Sequence, residues 1–335
     1  MEIIRRVDGL RWREFVDAHP QGAVFHTPEM FQVFECAKGY SPSVWATIDR
    51  DGRVLALLLP SLVTTLPGWL RHLSTRAIVY GSVLCASGAE GQQALALLLR
   101  QYRQEVDRAV LFTELRNLSS LDELQPTLRE QGFVYEDHLS YVVDLKRPSE
   151  AVFHSIGPRT RKHIRRGLRL GQVTIREANT QEDVAAGYHL LRQSYQAARV
   201  PLADRSLFEA AFDLLHPKGM IRFLLADVGQ TPIAASVELV YKDVIYGWYS
   251  GLDRAYGHYL PNELLTWHIL QWGAENGYAV YDFGGAGKPG ENYGVRNFKA
   301  KFGGRLVNYG RNVCVHAPAR LRLSQAGYQL VRKFL

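Results

Sequence analysis

The chain has 335 residues, 47% hydrophobic and 22% charged, which is too long for one ordinary domain and sufficient to bury two cores. Its 40 Lys and Arg against 33 Asp and Glu give a net charge of +7, which favours anionic partners: nucleic acid, phosphorylated metabolites or an acidic membrane face. No apolar run reaches the ~18 residues of a membrane span, Met1–Arg6 opens no signal-peptide core, and Cys36, Cys85 and Cys314 stand apart with no C-x-x-C pair. No transmembrane helix is expected, the cysteines argue against a disulfide framework or a zinc site, and a reducing cytoplasm is the expected location.

Trp12–His19 reads as a short helix, and Thr27 followed by Pro28 as the N-cap and first residue of a helix running to about Ala37. Val44–Ile48 and Val54–Leu59 flank Asp49-Arg50-Asp51-Gly52, a hairpin signal. After the Leu66-Pro67-Gly68 turn come a strand at Ala77–Gly81, a helix at about Gly91–Asp107, a strand at Ala109–Leu115, and a helix at Ser120–Gln131 ended by Gly132. His138–Leu145 closes this half as a strand.

The second half repeats the order. Ser206–Leu215 is helical, and Arg222–Ala226 and Ile233–Val240 flank the turn Asp227-Val228-Gly229-Gln230. Val244-Ile245-Tyr246-Gly247 matches Ile78-Val79-Tyr80-Gly81. A helix at Pro261–Asn276 ended by Gly277, a strand at Ala279–Phe283, a helix at Val295–Phe302 stopped by Gly303-Gly304, and a last strand at Leu306–Val315 follow. A repeated order of hairpin, strand, helix, strand, helix, strand predicts a duplicated mixed α/β domain, and this is the order of a GNAT-type N-acyltransferase core. The expected division is 1–150 and 201–316 as the two domains, 151–200 as a basic inter-domain helical segment, and 317–335 as a basic amphipathic helix.

In the middle segment, Ser155–Gln172 carries Arg159, Arg161, Lys162, Arg165, Arg166 and Arg169 and no acidic residue. Ile164 and Leu168, spaced i, i+4, predict one apolar stripe beneath a basic face. Arg159, Lys162 and Arg166 share a face and are candidates for holding a diphosphate or an RNA backbone; a solvated surface helix is the alternative. The tail places Leu323, Leu330, Val331 and Phe334 among Arg320, Arg322, Arg332 and Lys333, either to dock on its own domain or to meet an anionic membrane surface.

No G-x-S-x-G elbow, Walker loop or H-E-x-x-H occurs, and the 11 histidines show no metal-ligand spacing. An acyl-enzyme route has no visible nucleophile; direct transfer between a bound donor and an amine needs none. Arg254-Ala255-Tyr256-Gly257-His258-Tyr259 stands where a GNAT acetyltransferase carries its R/Q-x-x-G-x-G/A pyrophosphate loop, but Tyr259 replaces the small residue that lets a phosphate approach the backbone.

The densest signal is Tyr281-Asp282-Phe283-Gly284-Gly285-Ala286-Gly287, then Tyr293-Gly294-Val295 and Phe298-Lys299-Ala300-Lys301-Phe302-Gly303-Gly304. The glycines admit a ligand close to the backbone, and Asp282 is placed to orient an amine or a cation. This signature resembles that of the FemABX family of non-ribosomal peptidyltransferases. Phe25-His26-Thr27-Pro28, the Arg161–Arg166 run, Trp248-Tyr249-Ser250 and Pro261-Asn262-x-Leu264-Leu265-x-Trp267 resemble other parts of that family, so the similarity spans nearly the whole chain. The segment between Phe208 and Met220 has no room for the long helical hairpin of larger members, which makes this a compact, FemX-like chain.

The resemblance implies an enzyme with two tandem GNAT-like domains. It would transfer an amino acid from aminoacyl-tRNA, as co-substrate, to an amine of an anionic peptidoglycan precursor or a related envelope glycan precursor, without a cofactor. Lys299, at the Phe-Lys position of that signature, is the candidate for stabilising the oxyanion, a solvated helix lysine being the alternative, and Asp282 is the second catalytic candidate. Tyr249, Gly284, Gly285, Tyr293 and Lys301 are the substrate-binding candidates. Peripheral contact with a membrane-bound precursor is left open. Two alternatives stand: an N-acyltransferase that uses a coenzyme A thioester, and a non-catalytic module that binds RNA or an envelope precursor.

Overall fold

The computed structural model describes residues 1–66, 68–106 and 110–334, with the side chains of residues 69 and 327–334 left aside. Expectations placed on Pro67, Asp107 and Ala109, and on the side chains of Leu330, Val331, Arg332, Lys333 and Phe334, lie outside the described residues. The chain forms two compact units, Met1–Asp137 with Tyr309–Leu335, and His138–Asn308.

The first unit begins with β1 (Glu2–Ile4), α1 (Gly9–Ala18), α2 (Pro28–Cys36), β2 (Tyr40–Pro42), β3 (Trp45–Ile48) and β4 (Val54–Leu58). It continues with β5 (Ser61–Val63), β6 (Arg76–Gly81), β7 (Leu84–Cys85), α3 (Gly88–Val106), β8 (Phe112–Asn117), α4 (Gln125–Glu130) and β9 (Val134–Glu136). Local chemistry sets many of these bounds. The Thr27 side chain accepts from Met30 N, and Pro28 needs no donor at the first helical position. Gly52 turns the β3–β4 hairpin at φ +75°. Within this unit β6 and β8 run parallel, joined by α3, whose Ala94, Leu95, Leu98, Leu99 and Tyr102 form the core with Leu55, Val79 and Leu115.

The second unit comprises β10 (Leu139–Asp144), α5 (Ser149–Ser155), α6 (Pro158–Leu170), β11 (Thr174–Glu177), α7 (Gln181–Ala198), α8 (Arg205–Leu215) and β12 (Ile221–Val228). It ends with β13 (Thr231–Tyr241), β14 (Val244–Leu252), α9 (Pro261–Glu275), β15 (Val280–Gly285), α10 (Gly294–Ala300) and β16 (Arg305–Asn308). Its sheet has the order β11-β12-β13-β14-β15-β10-β16. β14 and β15 are parallel neighbours joined by α9, the same strand–helix–strand step as β6–α3–β8. The chain then returns to the first unit as β17 (Arg311–Val315) and α11 (Pro318–Phe334), with β17 seated between β8 and β9.

Three expectations require correction. The strand expected to close the first half pairs instead with β15 and β16 of the second unit. The single strand expected over Leu306–Val315 is two strands in different sheets. It breaks at Tyr309-Gly310, where Gly310 has φ +67° and a Cβ would lie 2.2 Å from the Tyr135 ring. Alternation fixes which face of a strand is buried but not which neighbour it pairs with, so the exchange leaves no local mark. The middle segment is not wholly helical either, because β11 pairs with β12 at the sheet edge.

The basic helix α6 starts later than expected, behind Gly157 and with Pro158 at its first position, and stops at Gly171 in the left-handed conformation. Its buried face is Thr160, Ile164 and Gly167, the last against Leu264 of α9, whereas Leu168 is 58% exposed. The expected Ile164/Leu168 stripe is thus rotated: the close approach permitted by Gly167 decides which side of the helix docks.

Candidate active site

β14 and β15 pair only at Val244↔Val280, Ile245↔Tyr281 and Tyr246↔Asp282, then part, although β14 continues to Leu252 and β15 to Gly285. Two features separate them. A register shift between Val237↔Tyr249 and Glu238↔Gly247 leaves Trp248 as an extra residue that bends β14 against β13, and the end of β15 is claimed by β10 through Ser140↔Gly285. The gap is a cavity of about 420 Å³ within the second unit. Tyr246–Gly251 of β14 form one wall, Phe283, Gly284 and Gly285 of β15 another, with Ser194, Tyr195 and Ala198 of α7 and Asn262, Leu265 and Thr266 of α9 closing the sides. Tyr293, Val295, Phe298 and Lys299 complete the lining from α10 and the residue before it, and Ser236, Glu238 and Tyr281 line it from β13 and β15.

Gly284 has φ +68°, and a Cβ there would meet the Tyr246 hydroxyl at 2.9 Å. Glycine at this position therefore lets the backbone turn and approach an aromatic wall at once. Lys299 Nζ donates to three successive carbonyl oxygens, those of Phe283 (2.5 Å), Gly284 (3.2 Å) and Gly285 (2.8 Å). Burial pulls its pKa down to about 8, and the charge of Asp282 counteracts part of that shift. Asp282 is itself buried and is not among the lining residues. Its Oδ1 accepts from Gly284 N at 2.7 Å, and burial pushes its pKa up to about 6 against that hydrogen bond and the Lys299 charge. Lys299 and Asp282 thus grip the same glycine turn, one by its carbonyls and one by an amide.

Tyr249, Gly284, Gly285 and Tyr293 all line the cavity with Lys299. Lys301 does not. It sits 3.8 Å from Glu263 and faces the Phe298 ring, as two residues' rotation from Lys299 on a helix requires. Arg159, Lys162 and Arg166 also lie outside the cavity, exposed along one side of α6. That helix packs on α9, and Gly157 N at its start donates to Lys301 O at 2.8 Å.

Glu238 was not singled out from the sequence, and Tyr281 was named there only as the first residue of the glycine signature. The Tyr281 hydroxyl donates to Glu238 Oε2 at 3.1 Å, and Gly247 makes room for the pair, since a Cβ there would lie 2.7 Å from that hydroxyl. Burial pushes the Glu238 carboxyl up to about 7, while the nearby hydroxyls of Ser236 and Tyr281 favour its ionised form. The available signal was Glu238 itself, the only charged residue in the apolar run Ile233–Val240.

Arg254–Tyr259, ahead of α9, is a short 3-10 helix in which Ala255 N donates to Asp253 Oδ1 and Tyr256 N to Asp253 O, and Leu260 N just after it donates to Gly257 O. Pro261 has no amide hydrogen, and Glu263 places an acidic side chain in the first turn of α9. In the first unit, β6 and β8 remain paired from Ala77↔Thr113 to Gly81↔Asn117, so no equivalent gap opens. A cavity of about 670 Å³ lies there instead between α1, the start of α3 and Ser120–Leu124, with Asp122 and Glu123 on its wall.

Residues 158–299 match the family described as acetyltransferase (GNAT) domain. The lipid II:glycine glycyltransferase of Staphylococcus saprophyticus subsp. saprophyticus is 21% identical, over 86% of this chain and 87% of its own length. Its namesake in Staphylococcus haemolyticus is 19% identical over the same shares. The crystal structure of FemX superposes with a TM-score of 0.72 at 15% identity, covering 99% of this chain and 100% of that one. A tandem GNAT protein from the clavulanic acid biosynthesis pathway gives 0.58 at 12% identity, covering 95% and 99%. With the strand–helix–strand step present in both units, the chain has a duplicated, GNAT-like α/β fold similar to that of FemX, and its residues 158–299 match the GNAT acetyltransferase domain.

Proposed function

We propose that this chain is an aminoacyltransferase that moves an amino acid from aminoacyl-tRNA to an amine of a peptidoglycan precursor, or of a related envelope glycan precursor. The observation that carries the reading is the parted β14–β15 pair: an aromatic-walled cavity with Lys299 at its rim, beside a loop in which Tyr259 stands where a pyrophosphate loop carries a small residue. The relatives named lipid II:glycine glycyltransferase support the same substrate class.

In the transfer, the acceptor nitrogen attacks the ester carbonyl, the C–N bond forms, and the C–O bond to the tRNA ribose breaks. The nitrogen loses a proton and the departing ribose oxygen gains one. The tetrahedral intermediate carries an oxyanion. Lys299 supplies a fixed positive charge at the glycine turn, and giving up its longest bond, to Gly284 O, frees one N–H for that oxygen. Asp282 acts through the turn by holding Gly284 N. Arg159, Lys162 and Arg166 offer an unneutralised basic strip for an RNA backbone or a diphosphate. No described helix is long and apolar enough to cross a membrane, so a lipid-linked acceptor would be met from the membrane surface.

The test is transfer itself. The purified chain is incubated with charged total tRNA and either lipid II or a soluble nucleotide-linked muropeptide, and the product is weighed by mass spectrometry. A gain of one aminoacyl residue that depends on charged tRNA supports the reading. Acetyl transfer from acetyl-CoA without tRNA would replace it with the thioester-dependent alternative.

A further inference from the structure

Glu238 is 3% exposed and Ser236 is 6% exposed, yet both reach the cavity. Buried carboxylates are ordinarily neutralised by a cation. Among the described residues no Lys, Arg or His forms an ion pair with Glu238, whose Oε2 accepts a hydrogen bond from the Tyr281 hydroxyl. Its cross-strand neighbour Arg222 is engaged elsewhere, paired with Glu177 at 2.5 Å and stacked over Trp272. Lys299 is turned toward the carbonyls of the glycine turn.

Two further polar atoms at the cavity are incomplete. Ser236 Oγ and Asn262 Oδ1 are both buried without a hydrogen-bond partner. Ser236 lies close enough to Glu238 to favour its charge, but the two do not meet in hydrogen-bond geometry. Buried polar groups left in this way cost free energy unless a ligand satisfies them. All three groups accept hydrogen bonds, one is anionic, and the adjoining walls are aromatic faces, which also attract cations.

We infer that Glu238, Ser236 and Asn262 form a recognition site for a primary ammonium group. An ammonium has three donors and one positive charge, which matches three acceptors of which one is charged. The proposal rests on reading the cavity as the transfer site, where two substrates carry such a group: the aminoacyl ester, through its α-ammonium, and the acceptor, through its chain-end amine. A buried carboxylate without a counter-ion is the specificity element in either case, because it admits an amine and rejects a carboxylate or a neutral isostere of the same size.

The test is a binding titration of the full chain at pH 8 by amide NMR, following Gly247 and Trp248, and needs neither tRNA nor turnover. Glycinamide represents the α-ammonium, and Nα-acetyl-lysine N-methylamide represents a chain-end amine. N-acetylglycinamide and Nα-acetyl-norleucine N-methylamide are their uncharged counterparts. At least one ammonium probe is expected to bind about ten-fold or more tightly than its counterpart, and Glu238→Gln to erase that preference. Selective binding of glycinamide assigns the site to the donor, and selective binding of the lysine probe assigns it to the acceptor.

Equal affinity for charged and uncharged probes, or an undiminished preference in Glu238→Gln, overturns the proposal. If that variant fails to fold, Ser236→Ala and Asn262→Leu must each weaken the preference instead. Absence of tRNA-dependent transfer alongside intact, Glu238-dependent probe binding would remove the proposed reaction and leave the ammonium site standing.

Discussion

Replacing Glu238 by Gln should make the protein more stable above neutral pH. The substitution keeps the size and shape of the side chain and an oxygen for the Tyr281 hydroxyl, and removes only the charge. In the folded chain burial raises the carboxyl pKa from its ordinary 4.5 to about 7. At about 1.4 kcal/mol per pH unit, this is about 3 kcal/mol of penalty on the ionised form. Below pH 4.5 the carboxyl is protonated in both states and the penalty is absent. Between about 4.5 and 7 the unfolded chain ionises while the folded chain holds its proton, so stability falls as pH rises. Above 7 both states are ionised and the loss is complete. Wild type and variant should therefore match near pH 4.5 and diverge to about 3 kcal/mol by pH 8, or roughly 6–12 °C in melting temperature for a unit of this size. Chemical unfolding of both proteins at half-unit steps from pH 4 to 8 measures the difference directly, and other titrating groups such as Asp282 cancel in it. A flat difference curve would refute the reasoning, since it would mean that a cation or water already neutralises this carboxylate. A gain in stability paired with a loss of function is the behaviour of a site that keeps a buried group for its ligand.

Four other outcomes follow from the geometry. Lys299→Met should lower single-turnover transfer about 100- to 1,000-fold, with a smaller effect on unfolding because the lost bonds to three carbonyls are partly offset by the ammonium's own burial cost; near-normal transfer at saturating substrates would make Lys299 a purely structural clamp. Lys301→Met, which loosens only a half-exposed contact with Glu263, should change little by the same two assays. Joint replacement of Arg159, Lys162 and Arg166 by Ala should leave the melting temperature within about 1 °C and reduce the salt slope of tRNA binding by about 2 to 3, measured by filter binding from 50 to 200 mM salt; an unchanged slope would make the strip a solvated surface. Gly303→Ala should destabilise by about 2 kcal/mol or more in urea unfolding, because φ is +72° and a Cβ would lie 2.2 Å from Ser155 O.

The sequence by itself determined most of the longer elements and their order. Thr27 and Pro28 start a helix for reasons confined to one turn of backbone, and Gly132 and Gly277 end theirs because a left-handed residue is required there, at φ +80° and +79°. It also marked the glycine turn and the two lysines after it, since 200° of helical rotation separates Lys299 from Lys301 whatever surrounds them. Three things were decided only by the tertiary structure. β10 and β17 each join the sheet of the other half, because strand alternation names a buried face but no neighbour. Leu168 faces outward and Gly167 inward, because the approach of α9 rather than hydrophobicity chose the docking side of α6. Glu238 becomes part of the cavity because a bulge at Trp248 of β14 and the capture of the β15 end by β10 pull two parallel strands apart beside it. Those pairings join residues far apart in the chain, and that distance is why the carboxylate reads from sequence as one polar interruption in a core strand and from structure as the charged wall of a cavity.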